Sequence, residues 1–130
     1  MQYYFLTSAQ IVDVHSDLIN QWGGNDGSGH RGASYEGVEA VVAAVRNSYY
    51  GDPHELAAAY AVYIVQGHVF LDGNKRSGEA ALKMFLEGNG YEVILPDKKL
   101  RRLMVELQKR SKAGGQVGEL IKWLASEISR

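Results

Sequence analysis

The sequence contains no cysteine. No disulfide framework can staple it, so its stability must come from a buried core, and the absence is compatible with a cytosolic protein. Proline is nearly as scarce, with two residues in 130, so little interrupts helical periodicity. No apolar run approaches the ~20 residues that would span a bilayer. The opening Met1-Gln2-Tyr3-Tyr4-Phe5-Leu6 has no basic region ahead of a hydrophobic core, unlike a signal peptide. An excess of one charge sign is missing too. Fourteen basic and 15 acidic residues leave a net charge of -1, which argues against a basic face for duplex nucleic acid. No spacing among the four histidines suggests a metal cage.

What remains is the size and pattern of one domain, residues 1–130, that reads as all-α. It is a compact bundle of about six helices with at most a very short strand pair, Tyr3–Leu6 against Tyr91–Leu95. Thr7 and Gln10 have the spacing of a capping box. The helix they open carries Ile11, Val14, His15, Leu18, Ile19 and Trp22 on one stripe, which makes His15 a core or cap histidine. Residues Gly23–Gly37 are glycine-rich, lack apolar periodicity and match no Walker-type phosphate loop; they read as a loop. Val38, Val41, Val42, Val45 and Tyr49 mark a second helix beginning near Ser34. Asp52 and Pro53 start an alanine-rich third, with Leu56, Ala59, Tyr60, Tyr63, Ile64 and Gly67 on one face. Ala81, Leu82, Phe85 and Leu86 mark a fourth, which ends at Gly88-Asn89-Gly90 and around which the others are expected to pack. Asp97 is placed to cap a fifth with Leu100, Leu103, Met104 and Leu107. Val117, Leu120, Ile121, Leu124 and Ile128 mark a sixth. His30 and His54 read as surface residues and Trp123 as packing. Lys98, Lys99, Arg101 and Arg102 form a basic cluster whose default role is a solvated helix face.

Between the third and fourth helices lies His68-Val69-Phe70-Leu71-Asp72-Gly73-Asn74-Lys75-Arg76. Asp72-Gly73-Asn74 reads as a turn into a helix start. Backbone N–H groups there lack intrahelical partners and favour phosphate. His68 can serve as a general base. Phe70 can anchor the loop in the core. Asp72 is a hard oxygen ligand suited to Mg²⁺ together with phosphate oxygens. Gly73 lets amides approach a phosphate closely. Asn74 can donate its amide to an anion or cap the helix. Lys75 is a cation that also fills space, and Arg76 offers a fork of donors. Any two of these would suit an ordinary polar cap; all of them in this order point to nucleotide chemistry.

This stretch resembles the signature of the Fic/Doc (Fido) superfamily, His-Pro-Phe-x-(Asp/Glu)-Gly-Asn-(Gly/Lys)-Arg. The Leu6-Thr7 lead-in, the helix with Ile11 and His15, the Gly-rich loop and Phe85-Leu86-x-x-Asn89-Gly90-Tyr91 are similar to the short Doc, or "death on curing", branch. The resemblance implies the Fido fold. It also implies a site in which His68 is catalytic, Asp72 holds Mg²⁺, and Phe70, Gly73, Asn74, Lys75 and Arg76 bind ATP. Val69 stands where the family usually has Pro.

Two positions decide the branch. Lys75 replaces the glycine of typical Fic adenylyltransferases, and Glu79 stands where they carry a second phosphate-gripping arginine. Doc-type proteins are similar at both. For that branch the resemblance implies a cytoplasmic bacterial toxin that transfers the γ-phosphoryl group of ATP to a Ser or Thr of a translation factor. Elongation factor Tu is the implied target and arrested translation the outcome. It further implies control by a Phd-like antitoxin whose disordered tail folds on binding, with no direct nucleic-acid or membrane contact. The alternatives are AMP transfer to a protein hydroxyl, and a non-enzymatic co-repressor subunit bound to an antitoxin. The inhibitory Ser/Thr-x-x-x-Glu-Gly/Asn motif of many Fic enzymes does not occur: Glu36-Gly37 is preceded by Gly32 at the hydroxyl position, and Glu87-Gly88 by Lys83.

Overall fold

The computed structural model describes residues 2–22, 33–70 and 72–129. The first helix, α1 (Ser8–Trp22), opens on the expected capping box. The Thr7 N–H donates to Gln10 Oε1 at 2.8 Å and the Gln10 N–H to Thr7 Oγ1 at 3.2 Å. Among its described side chains Ile11, His15 and Ile19 are buried, spaced i, i+4, i+8, and the Trp22 side chain lies outside the described residues. The second helix, α2 (Ala33–Arg46), buries Val38, Val41 and Val45. It stops before Tyr49, which is fully exposed rather than part of the stripe. Most of the Gly-rich stretch, residues 23–32, lies outside the described residues.

Asp52 caps α3 (Pro53–Gln66) as expected, accepting from the His54 and Glu55 amides at 2.8 and 3.2 Å. This third helix, not the fourth, is the centre of the bundle. It packs against α2 and against α4 (Asn74–Gly88), α5 (Asp97–Lys112) and α6 (Val117–Ile128). A one-sided stripe does not describe it, because Leu56 to Val62, Ile64 and Val65 are all buried. Ala57, Ala58, Ala59 and Ala61 let neighbours approach on every side. Gly78 of α4 completes the fit. A Cβ there would sit 3.2 Å from Val65 Cγ2 and 3.4 Å from the Ala61 carbonyl oxygen, so the α3 and α4 backbones pack closely.

The described residues contain no strand. The first of the two segments expected to pair is held instead by a side chain at the end of α4, just ahead of the second. Asn89 accepts from the Tyr4 N–H at 2.7 Å and donates to the Tyr4 carbonyl at 3.0 Å, so it does the work a ladder partner would do. At α5, Pro96 takes the cap position and Asp97 is the first helical residue. Its carboxylate accepts from Lys83 Nζ at 2.7 Å, which holds it below the usual carboxylate range. Trp123 packs at the rim, with the Arg110 guanidinium 4.2 Å above its ring. No helix among the described residues is long and apolar enough to cross a membrane.

Tyr60 ties the lead-in to the core. Its phenol is buried and accepts a hydrogen bond from the Leu6 N–H at 3.0 Å. Burial pushes this phenol from its ordinary 10.0 up to about 12. Between those values the unfolded chain gives up the proton while the folded one keeps it. Stability is therefore intact below pH 10 and is expected to fall as pH rises toward 12. In Tyr60→Phe that decline should flatten, while the Leu6 N–H, left without an acceptor, costs about 1–3 kcal/mol. Urea unfolding at neutral and alkaline pH checks both.

Candidate active site

His68 follows the Gly67 cap of α3, its N–H donating to the Val65 carbonyl at 3.4 Å. Its φ of 47° is left-handed, the only such value outside glycine among the described residues. Its side chain is exposed. The chain then dives. Val69 seats on α2 where Gly37 leaves room; a Cβ at Gly37 would lie 3.2 Å from Val69 Cγ1. Phe70 is 3% exposed. Its ring is stacked on the His15 imidazole of α1, with centroids 3.7 Å apart and 4° between planes. Phe70 thus anchors the loop, as one reading of the sequence expected. The ring itself lies in the core, so what Phe70 presents toward the surface is the position of the loop it holds.

Asn74 holds the same residue from the other side. Its Oδ1 accepts from the Phe70 N–H at 2.9 Å and its Nδ2 donates to the Phe70 carbonyl at 2.8 Å. The side chain is buried and committed to the loop, and it does not cap the helix. Asn74 is instead the first residue of α4. The cap position falls to Gly73, at φ 79° and ψ 19°, with no side-chain hydrogen bond to the helix start. The Ser77 N–H donates to the Gly73 carbonyl at 2.9 Å, closing the first turn. By helix geometry the N–H groups of Gly73, Asn74 and Lys75 then project from the end without intrahelical acceptors. The starts of α5 and α6 also lack side-chain caps. What distinguishes α4 is its neighbours: Asp72 is exposed immediately before it, with His68 four residues earlier.

Lys75 is turned toward α5, where its Nζ donates to Gln108 Oε1 at 3.1 Å. Arg76 is exposed and lines a cavity of about 330 Å³ with Leu18 of α1, Glu79, Ala80 and Lys83 of α4, and Arg101 of α5. Glu79 lies in that wall with its carboxylate 3.9 Å from Arg101 Nε. Burial raises its pKa, and the charges of Arg101, Lys83 and Arg76 oppose the rise. Part of the basic cluster of α5 therefore faces this cavity through Arg101. Lys98, Arg101 and Arg102 also line a shallow groove with Val105, Glu106 and Lys109. His54 lies at the surface beside Asp52, away from these residues, and His30 lies outside the described residues.

Among the described residues no three His, Cys, Asp or Glu side chains gather to cage a metal. The exposed carboxylate of Asp72 beside the start of α4 is a donor of the kind that suits Mg²⁺, which is commonly held by one or two carboxylates with phosphate oxygens and water. Two contributors escaped the sequence reading. His15 sits on an apolar stripe, so its spacing marks it as core. Gln108 carries no local signal and matters only because α5 passes beside Lys75.

A helix start that can receive phosphate, with an imidazole and a carboxylate before it and a guanidinium after it, is the equipment of a phosphate-directed transferase. The chain belongs to the Fic/DOC family, whose model matches residues 5–86. It is also similar to the protein kinase Doc of Escherichia phage P1, 30% identical over 89 residues that cover 68% of this chain and 71% of that protein.

Proposed function

We propose that this chain is the toxin of a toxin–antitoxin pair and acts in the cytoplasm as a protein kinase. It would transfer the γ-phosphoryl group of ATP to a Ser or Thr of a translation factor, with elongation factor Tu the first candidate. The observation that carries this reading is the start of α4. It is uncapped at Gly73, adjoined by exposed Asp72 and followed by Arg76, with His68 exposed at the end of the preceding helix. The kinase name of the phage relative supports the reaction class.

In this reading the Gly73, Asn74 and Lys75 amides receive phosphate oxygens, and Arg76 adds a charged donor. Asp72 would hold Mg²⁺, which supplies charge neutralisation on the phosphates when bound. The hydroxyl proton of the target passes to the His68 imidazole. The freed oxygen bonds to the γ-phosphorus as the bond from that phosphorus to the ADP oxygen breaks. Lys75, tied to Gln108 of α5, sets a side chain where a glycine would leave the helix start bare. Glu79, in the cavity wall beside Arg76, disfavours a terminal phosphate lying there. Both features favour γ-phosphoryl transfer over AMP transfer.

Two labelling reactions test this, each with purified protein, Mg²⁺ and a bacterial lysate. Label is expected from γ-labelled ATP on a band the size of elongation factor Tu, and none from α-labelled ATP. Label from the α-phosphate would make the protein an adenylyltransferase instead. Expression of the chain alone is expected to arrest growth, and co-expression of its antitoxin to restore it; harmless expression of active protein would count against the toxin reading.

A further inference from the structure

We propose that His15, on α1 and outside the signature stretch, is a positioning residue that aims the phosphate-binding amide of Gly73. The proposal deepens the transferase reading above and rests on it for the activity it would affect.

His15 is 2% exposed. Its Nε2 lies 2.7 Å from the carbonyl oxygen of Asp72. A carbonyl oxygen can only accept, so Nε2 carries the proton and donates. The other side of the same ring system is fixed by the stack on Phe70, 3.7 Å between centroids. The ring therefore has little freedom, and the carbonyl it holds is drawn toward α1.

That carbonyl shares a peptide plane with the Gly73 N–H. The described peptide bonds are all trans, and in a trans peptide C=O and N–H point in opposite directions. Holding the Asp72 oxygen against α1 thus turns the Gly73 N–H away from α1, out of the face of the loop that packs inward. Gly73 is the cap residue of α4, so its N–H is the first of the donors the helix start offers. Gly73 itself rests on the same contact: a Cβ there would lie 3.5 Å from His15 Cδ2 and 3.4 Å from Ile19 Cδ1. Its φ of 79° is accessible to glycine without strain. Asn74 fixes the Phe70 peptide groups and His15 fixes the Asp72 carbonyl, so the loop is held at two points by two different elements.

The bond, rather than the bulk of the ring, is what this role requires. His15→Phe keeps a flat ring against Phe70 and removes the donor. His15→Gln loses the ring and keeps an amide N–H that reaches where Nε2 stands. With the γ-label assay and saturating target, His15→Phe is expected to lose about 10–100-fold in kcat, the scale of a misaimed binding group. His15→Gln should stay within a few-fold of the parent, and both should melt within a few degrees of it. A Gln variant as impaired as Phe, or a Phe variant with parental kcat, would overturn the proposal. A second readout needs no activity. Long-range ¹H–¹⁵N spectra of the parent should show His15 as the Nε2–H tautomer, and the Gly73 amide resonance should shift on adding inorganic phosphate. In His15→Phe that phosphate response should require at least tenfold more phosphate. The opposite tautomer, or an unchanged phosphate response in His15→Phe, would overturn the role of His15. Absence of γ-label transfer by the parent protein, with these spectra as expected, would overturn the kinase reading alone.

Discussion

His68→Asn is expected to lose 10²–10⁴-fold in phosphoryl transfer while folding as the parent does, the range over which a positioned general base contributes. The structure explains why the two effects separate. The side chain is exposed, so no packing is lost with the imidazole. The backbone is left-handed at φ 47°, a region that Asn tolerates nearly as well as any non-glycine residue. His68→Ala should show the same loss of transfer, with a slightly lower melting temperature because Ala tolerates that φ less well. Single-turnover transfer from γ-labelled ATP, read beside thermal denaturation, separates chemistry from folding. An Asn variant with near-parental transfer would remove His68 from the base role.

Asn74→Ala should do the reverse and reach activity through the fold. Both polar groups of the buried Phe70 backbone end on the Asn74 amide, at 2.9 and 2.8 Å. Truncation leaves a buried N–H and a buried C=O without partners, at about 1–3 kcal/mol each. A loss of about 2–6 kcal/mol is a large share of the 5–15 kcal/mol typical of a domain. Urea unfolding should show a lower midpoint with an unchanged slope. Transfer should fall as well, because the released loop carries Asp72 and Gly73. Asn74→Asp is the sharper variant. It keeps the acceptor for the Phe70 N–H but sets a carboxylate oxygen against the Phe70 carbonyl, so it should destabilise although the side chain is nearly the same size. If Asn74→Ala unfolded like the parent, the clamp would be unimportant to the loop.

The two substitutions show where sequence and structure each speak. The order of residues from His68 to Arg76 was readable because their chemistry is local: a base, a carboxylate, a glycine turn and a helix start within nine positions. Local geometry also made the capping box of Thr7 and Gln10 and the Asp52-Pro53 start of α3 readable, since each depends on residues two or three apart. The stripes of α5 and α6 were readable because each helix buries one face.

Other features depend on what passes nearby, and the chain carries no local mark of them. The alanines of α3 show that something packs close, but only the fold surrounds that helix with α2, α4, α5 and α6. Asn74 looks like a cap or an anion donor by type, and becomes a clamp because Phe70 turns back into the core within its reach. His15 looks like one more residue on an apolar stripe, and Lys75 like a phosphate-binding cation, until α1 and α5 bring the Asp72 carbonyl and Gln108 alongside. By itself the sequence determined the six helical segments, the starts of α1 and α3, and the chemical groups of the candidate site, because propensity, capping and periodicity act over a few residues. The tertiary structure alone decided which helix lies at the centre, which side chains are spent holding the loop, and which way its amides face. Those outcomes come from close packing and from the need of every buried N–H and C=O for a partner, which residues distant in the chain supply.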